Sequence, residues 1–268
     1  MSIPIQVTIL GSRGSMPVCG ESFLRYGGAT CCVLVQHDNQ AYILDAGTGL
    51  LETSRYLHGE SSLSLLLTHP HFDHIAGLPL FPEAFRKGFP IRVYGAELDG
   101  RDTETQIGVL MSPPLWPVGP HQLPADITFH PMEERFLLNG ALVESLDGKH
   151  PGGVTILRLT VGGKQIVLLT DCTITEENRA ELLDFCRGCD LLLCDGQYSD
   201  EEWPTRSTFG HNTWSEAARF ALDCGAKCTR ILHHDPFHTD DILDAARIQV
   251  SSICPACDLA RAGEEITL

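Results

Sequence analysis

The densest group of chemically active side chains runs through Thr68-His69-Pro70-His71-Phe72-Asp73-His74. Three imidazoles and one carboxylate are spaced as HxHxDH, directly after the apolar run Leu63-Ser64-Leu65-Leu66-Leu67. In an irregular turn leaving a strand, the first and third of these positions can face one way and the fifth and sixth another, so one loop can supply two adjacent metal ions. Imidazole with carboxylate suits zinc, manganese or iron rather than calcium or magnesium, which take oxygen ligands. So short a loop cannot saturate two ions. Further candidates stand in the second half of the chain: His150 in Gly148-Lys149-His150-Pro151-Gly152-Gly153, Asp171 after the run Ile166 to Thr170, and His233-His234-Asp235 after Arg230-Ile231-Leu232. Each lies at a strand end or in a Gly/Pro turn, where functional side chains project from a rigid scaffold.

Short β-type runs have to carry these groups. Ile5 to Leu10, Cys32 to Val35, Ala41 to Leu44 and the buried Leu63 to Leu67 read as strands in the first half, as do Val154 to Leu159, Gln165 to Leu169, Leu191 to Cys194 and Arg230 to Leu232 in the second. Helices are expected at Thr175 to Cys186, Thr213 to Cys224 and Asp240 to Ser251, each opening on a capping Thr or Asp. Tyr42-Ile43-Leu44-Asp45-Ala46-Gly47 and Val167-Leu168-Leu169-Thr170-Asp171-Cys172 both run an apolar strand into an Asp and small residues, an echo that suits two related β-halves. Nothing resembles a linker, so residues 1–268 read as one domain. The proline-rich segment from Leu110 to Ala125 reads either as a stiff lid beside the site or as a loop pinned over the core.

The chain has 268 residues and a formal net charge of -16, so its surface should repel nucleic acid, and a long polyanion is an unfavourable substrate. Two divalent cations in a cleft would reverse that sign locally, which leaves room for a small anionic substrate. No apolar stretch is long enough to span a membrane, and the start, Met1 to Val7, lacks the features of a signal peptide; a cytoplasmic location and no membrane partner are the expectations. Eleven cysteines without an export signal argue for reduced thiols. The CxxC pairs Cys186/Cys189 and Cys254/Cys257 read as buried small residues rather than a zinc or redox site.

The order HxHxDH, a later His, a strand-end Asp and a final His resembles the metallo-β-lactamase fold superfamily. Gly11-Ser12-Arg13-Gly14-Ser15, Tyr26-Gly27-Gly28-Ala29-Thr30-Cys31, Leu44-Asp45-Ala46-Gly47-Thr48-Gly49 and Gly210-His211-Asn212-Thr213 add to the likeness over nearly the whole chain. Together they are similar to the phosphodiesterase branch, which includes ribonuclease Z and phosphodiesterases of cyclic phosphates and cyclic nucleotides. The resemblance implies an α/β (α+β) fold, a four-layer αββα sandwich, and two divalent ions, Zn2+ or Mn2+ with Fe also compatible. It implies one ion held by His69, His71 and His150, a second by Asp73, His74 and His234, and Asp171 between them. His233 would then be a neighbour of the site and Asp45 a structural carboxylate beside it. Homodimers are frequent among such relatives.

The chemistry implied is hydrolysis by a metal-bridging hydroxide, with Asp73 counted among the catalytic residues as well as the ligands. His211 matches the family histidine that protonates the leaving group. Asp195, in Leu191-Leu192-Leu193-Cys194-Asp195-Gly196-Gln197, falls where ribonuclease Z has a Glu that partners it. The basic arm with which ribonuclease Z grips tRNA has no counterpart here, which moves the expectation from tRNA towards a small phosphodiester such as a cyclic nucleotide or cyclic phosphate. Two other readings stand beside it. One is a hydrolase of a lactone, thioester or β-lactam on the same scaffold. The other is a non-catalytic or redox metal sensor, against which the plain HxHxDH, without the extra carboxylate of flavodiiron-type relatives, counts.

Overall fold

The computed structural model describes residues 3–268; Met1 and Ser2, at the head of the segment read as lacking a signal peptide, lie outside them. Its strands in chain order are β1 (Gln6–Gly11), β2 (Cys32–His37), β3 (Gln40–Leu44), β4 (Leu63–Leu66), β5 (Pro90–Gly95), β6 (Asp126–Pro131) and β7 (Arg135–Leu138). The second half adds β8 (Ala141–Gly148), β9 (Val154–Val161), β10 (Lys164–Leu169), β11 (Leu191–Asp195), β12 (Thr229–Leu232), β13 (Cys257–Leu259) and β14 (Glu264–Thr267). The α-helices are α1 (Phe72–Ile75), α2 (Thr103–Leu110), α3 (Arg179–Cys186), α4 (Trp203–Arg206), α5 (Trp214–Cys224) and α6 (Asp240–Ile253).

Two seven-stranded sheets form, in the orders β14-β1-β2-β3-β4-β5-β6 and β13-β12-β11-β10-β9-β8-β7. Side chains alternate along a strand, and here both alternating sets are apolar, as they must be in a sheet covered on both faces. Val33, Val35, Tyr42, Leu44 and Leu66 of the first sheet meet Leu157, Leu159, Ile166, Leu168, Leu193 and Leu232 of the second in one core between the sheets. The intervening residues face outward. Leu34, Ile43 and Leu65 pack under short helical turns and α2, while Val167, Leu169, Leu192 and Ile231 pack with residues of α3, α5 and α6. The result is the four-layer αββα sandwich that was expected.

The strands expected from the sequence all form, within a few residues of the expected bounds. α5 begins after Thr213, whose hydroxyl accepts from the Glu216 N–H at 3.1 Å, and Gly225 closes it at φ 70°. α3 starts at Arg179 rather than Thr175, because the Asn178 side chain accepts from the Thr175 N–H at 2.8 Å and makes a turn of 175–178 instead. Local pattern did not reveal α2, which contains Gly108 and is capped by Asp102, or the strands β5 to β8, β13 and β14. Several of those strands leave one face half-exposed, so they lack the continuous apolar run of the central strands.

The proline-rich segment is a loop pinned over the core: Met111 and Leu123 are buried with the outer face of the first sheet, and Trp116 and Val118 pack against them. All eleven cysteines are free. Cys186, Cys189, Cys254 and Cys257 are buried between the second sheet and its helices, and burial pushes the Cys189 thiol up to about 12. Among the described residues they belong to no metal-binding group, and no helix is long and apolar enough to cross a membrane.

β3, β4, β5 and β6 run parallel, as do β10, β11, β12 and β13. Asp45 follows β3, His69 comes shortly after β4, Asp171 shortly after β10, Asp195 ends β11 and His233 follows β12. Parallel pairing therefore delivers these side chains at the carboxyl ends of strands, where open α/β sheets place their sites.

Candidate metal centre

Three of the strand-end residues have left-handed backbones: Asp45 (φ 59°), Asp171 (φ 53°) and His233 (φ 67°). A non-glycine residue in that region carries local strain and persists where the surrounding structure imposes it. The echo between Tyr42–Gly47 and Val167–Cys172 thus extends to backbone conformation, and His233 is a third instance after β12.

Four overlapping groups of possible ligands result among the described residues; Cys31 with His74 and His233 is one, Asp171, Asp195, His211 and His233 another, and the remaining two correspond to the expected pair of sites. Ligand atoms of His69, His71, His150 and Asp171 lie within 4.8 Å of one another, as do those of Asp73, His74, Asp171 and His233. Asp171 belongs to both, which is the placement expected of a bridging carboxylate. His69, His71, His150 and Asp171 come together as expected on one side, and Asp73 and His74 on the other.

The last member differs from the expectation. His233 Nε2 is 3.0 Å from Asp73 Oδ2 and 3.2 Å from Asp171 Oδ2, whereas His234 turns away and donates from Nε2 to the Ala260 carbonyl at 2.9 Å. His234 continues the extended chain, pairing with Arg13 and 5.8 Å edge-on to Tyr26. Left-handed φ at His233 swings its side chain out of the strand's alternation, so counting onward from the end of the apolar run selects His234, the histidine that faces away from the cluster. The available signal was the pattern of β3, where the first polar residue after the strand, Asp45, takes the left-handed turn.

Four of the five histidines of the two groups are oriented from behind. The Nδ1 of His69 is 3.0 Å from the Thr68 hydroxyl, that of His74 is 2.7 Å from Asp45, that of His150 is 3.2 Å from the Gly210 carbonyl, and that of His233 is 3.2 Å from Gln197 Oε1. With Nδ1 engaged, Nε2 is the atom left to face the cluster, the arrangement by which outer partners fix ring orientation and tautomer at metal sites. His71 is the exception and points Nδ1 inward, 3.1 Å from His150 Nε2. Asp45, fully buried, also accepts from the Thr68 N–H at 2.8 Å, so it ties the end of β3 to the start of the HxHxDH turn. Gln197 was not singled out in the sequence; it bonds His233, the Ser15 hydroxyl at 3.2 Å and Asp235 at 3.3 Å. A lone Gln after a strand carries no pattern that marks it.

The electrostatics suit a cation. Burial alone would raise the Asp73 carboxyl, but His74 and His233 hold it well below the usual carboxylate range, and Asp171 is likewise held down against burial by His233 and His74. Burial opposes charge on His233, yet Asp171 and the Asp73 hydrogen bond push it up to about 9; His234, buried without a carboxylate, is pushed down to about 3. His74 is raised despite its burial by Asp73 and Asp171, while burial and the charge of His74 lower His69. The cluster therefore draws positive charge onto two of its own imidazoles, where divalent cations would serve instead. The buried Nε2 atoms of His69 and His74 have no hydrogen-bond partner, and buried polar atoms without partners are uncommon in a folded chain. Donor types, orphaned nitrogens and charge all fit a pair of divalent ions.

Beside this cluster lies a second couple. His211 Nδ1 is 2.8 Å from Asp195 Oδ2, and Asp195 also accepts from the backbone N–H groups of Asp171 and Asn212, both at 3.1 Å. Those bonds hold the shorter carboxylate in reach of the imidazole. The His211 ring stacks on His233 with centroids 4.7 Å apart.

Gly14 of Gly11–Ser15 and Gly210 of Gly210–Thr213 are explained by the site, whereas Gly11 is required by the Thr30 carbonyl. A Cβ on Gly14 would stand 2.1 Å from His233 Nδ1, and one on Gly210 (φ 95°) 2.2 Å from His150 Nδ1. Ser15 donates its N–H to Asp73 Oδ2 at 2.6 Å. Gly14→Ala is expected to displace the His233 ring and lower the metal content of purified protein by about one ion per chain; full occupancy in elemental analysis would show that the ring needs no such clearance.

Residues 41–234 match the family model described as the beta-lactamase superfamily domain. An uncharacterized protein of Mycobacterium leprae is 25% identical over 252 residues, which are 92% of this chain and 84% of that protein. The crystal structure of the metallo-beta-lactamase fold protein YhfI from Bacillus subtilis superposes with a TM-score of 0.78 at 20% identity, covering 99% of this chain and 100% of that one. The short form of human tRNase Z superposes with a TM-score of 0.70 at 18% identity over 97% and 98%. With the αββα layers, the HxHxDH turn at the end of β4 and this match over most of its length, the chain belongs to the β-lactamase superfamily, in its metallo-β-lactamase fold.

Proposed function

We propose that this protein is a dinuclear metal-dependent phosphodiesterase acting on a small phosphodiester, such as a cyclic nucleotide or cyclic phosphate. His69, His71, His150 and Asp171 would hold one ion, and Asp73, His74, Asp171 and His233 the other. When bound, such a pair of divalent ions, zinc or manganese with iron also suited to these donors, makes water a competent nucleophile at neutral pH and neutralises charge on a phosphoryl group.

The observation that carries the phosphodiester reading is the His211–Asp195 couple at 2.8 Å, placed against the cluster with His211 Nδ1 3.7 Å from Asp171 Oδ1. An alkoxide leaving group must be protonated as its bond to phosphorus breaks. Asp195 accepts the hydrogen bond of Nδ1–H and leaves His211 Nε2 as the atom that exchanges a proton with substrate. The likeness to a tRNase Z fold supports the same class. The net charge of -16 and the sequence's lack of a Lys/Arg-rich arm favour a small substrate over a long nucleic acid.

The test is turnover by metal-replete protein of bis-p-nitrophenyl phosphate, p-nitrophenyl acetate and a β-lactam, with Asp73→Ala in parallel. Phosphodiester turnover that Asp73→Ala abolishes is expected. Ester or lactam turnover without phosphodiester turnover would refute the reading, and phosphodiesterase activity surviving in Asp73→Ala would refute the two-ion mechanism.

A further inference from the structure

A cleft of about 260 Å³ opens beside the metal centre, lined by His69, His71, Gly152 and Gly153 on one wall and by Leu98, Asp99 and Arg101 on the other. The second wall is a tight turn. Leu98 and Arg101 exchange two backbone hydrogen bonds, at 3.0 and 3.1 Å, across Asp99 (φ 53°) and Gly100 (φ 68°), the pair of left-handed residues that a two-residue hairpin loop requires. The buried Gln106 of α2 clamps it, donating from Nε2 to the carbonyls of Ala96 at 2.9 Å and Arg101 at 2.7 Å. Leu98 packs onto Gly153, where an added Cβ would stand 2.9 Å from the leucine methyl. The turn is thus anchored to the same Gly152–Gly153 loop that follows His150.

This construction holds one cation. Arg101 is exposed, and among the described residues no carboxylate lies within the ion-pair distance of 4.0 Å of it. Among the described residues other arginines, such as Arg86 and Arg92, also form no ion pair within that distance; Arg101 differs from them in being held by a rigid turn that lines the cleft beside the proposed metal ligands. Asp99 on the same turn sets a limit, because its carboxylate in the same cleft would repel a longer polyanion. His71 and His150, with ring centroids 4.9 Å apart, stand between this cleft and His211, whose ring is 5.3 Å beyond that of His150.

Resting on the phosphodiesterase reading above, we infer that Arg101 is a specificity-determining residue that binds a second anionic group of the substrate, a phosphate remote from the ester oxygen that His211 protonates. A planar guanidinium presents paired N–H donors that match a phosphate, and such charge-assisted bonds discriminate strongly between substrates with and without the group. The preferred substrate class is then a nucleotide-sized phosphodiester bearing one further phosphate.

The experiment compares two substrates with the same leaving group: the p-nitrophenyl ester of thymidine 5′-phosphate and its counterpart carrying a 3′-phosphate. The metal-replete wild type is expected to prefer the 3′-phosphorylated compound. Arg101→Ala should raise its KM by about 10- to 100-fold, the range for a hydrogen bond to a charged group, and change the other substrate less than twofold; Arg101→Lys should recover part of the loss. Equal effects on both substrates, or no wild-type preference, would overturn the inference. If neither compound is turned over, the phosphodiesterase reading fails, and calorimetry decides the anion site separately. Thymidine 3′,5′-bisphosphate should then bind wild type more tightly than Arg101→Ala does, with no such difference for thymidine 5′-phosphate, and equal affinities would overturn it.

Discussion

Replacing His233 with Ala is expected to remove the ion held with Asp73, His74 and Asp171, and to lower kcat/KM on a phosphodiester by about 10³-fold, roughly 4 kcal/mol of the charge stabilisation that a Lewis acid supplies. His234→Ala is the control, one residue away. Its Nε2 bonds the Ala260 carbonyl and its ring lies against Tyr26, so its loss should cost stability, about 1 to 3 kcal/mol, from a lost buried hydrogen bond and a small cavity. Metal content and activity of the folded fraction should remain. The contrast rests on distance and charge together: His233 lies within 3.2 Å of two carboxylates that push its pKa up to about 9, while burial without a carboxylate pushes His234 down to about 3. Elemental analysis and thermal unfolding of both variants check it. Loss of metal from His234→Ala with full occupancy in His233→Ala would reverse the assignment.

His211→Ala should leave both ions in place, since His211 Nδ1 is taken up by Asp195 at 2.8 Å and the ring is in neither of the two groups proposed to hold them, and should lower kcat by about 10²- to 10⁴-fold on diesters with poor leaving groups, the range of general acid catalysis. Nitrophenyl esters, whose leaving oxygen needs little protonation, should lose far less. The disparity is the diagnostic quantity. Asp195 positions the imidazole through a 2.8 Å bond, and it also accepts from the Asp171 N–H at 3.1 Å, so changing Asp195 disturbs both the proton donor and the bridging carboxylate. His211→Ala is therefore the cleaner probe. Equal losses on both classes of ester would assign His211 to binding or support rather than to proton transfer.

The central strands were readable because their two faces are both apolar. Continuous runs such as Leu63–Leu66, Gln165–Leu169 and Leu191–Cys194 can only be buried strands at that length, and Thr213 and Gly225 mark the ends of α5 by their capping chemistry. The peripheral strands β5 to β8 escaped notice because packing against a neighbour, rather than their own composition, holds them in place. α2 is similar: it contains Gly108, and its N-terminus is set by Asp102 and its C-terminal turn runs into the proline-rich loop.

The HxHxDH turn and the later His150 and Asp171 were legible in the linear chain, because imidazoles and carboxylates gathered directly after buried strands or in Gly/Pro turns have few other uses, whereas the pairing of Asp195 with His211 was implied only by the resemblance to ribonuclease Z. That sufficed for the fold, for a candidate two-ion centre and for the residues to examine as proton donors. Tertiary structure alone decided between His233 and His234, because a single left-handed residue at the end of β12 reverses which side chain faces Asp73. It alone revealed Gln197 behind His233, His74 as the partner of the expected Asp45, and the clamped turn that holds Arg101 at the cleft. The two hydrogen bonds join residues 36 and 29 positions apart, and the cleft brings Arg101 and His71 to one opening; no local pattern encodes which of many polar side chains will meet there. The ligand types are written in the chain; their facing directions follow only from how two sheets bring their strand ends together.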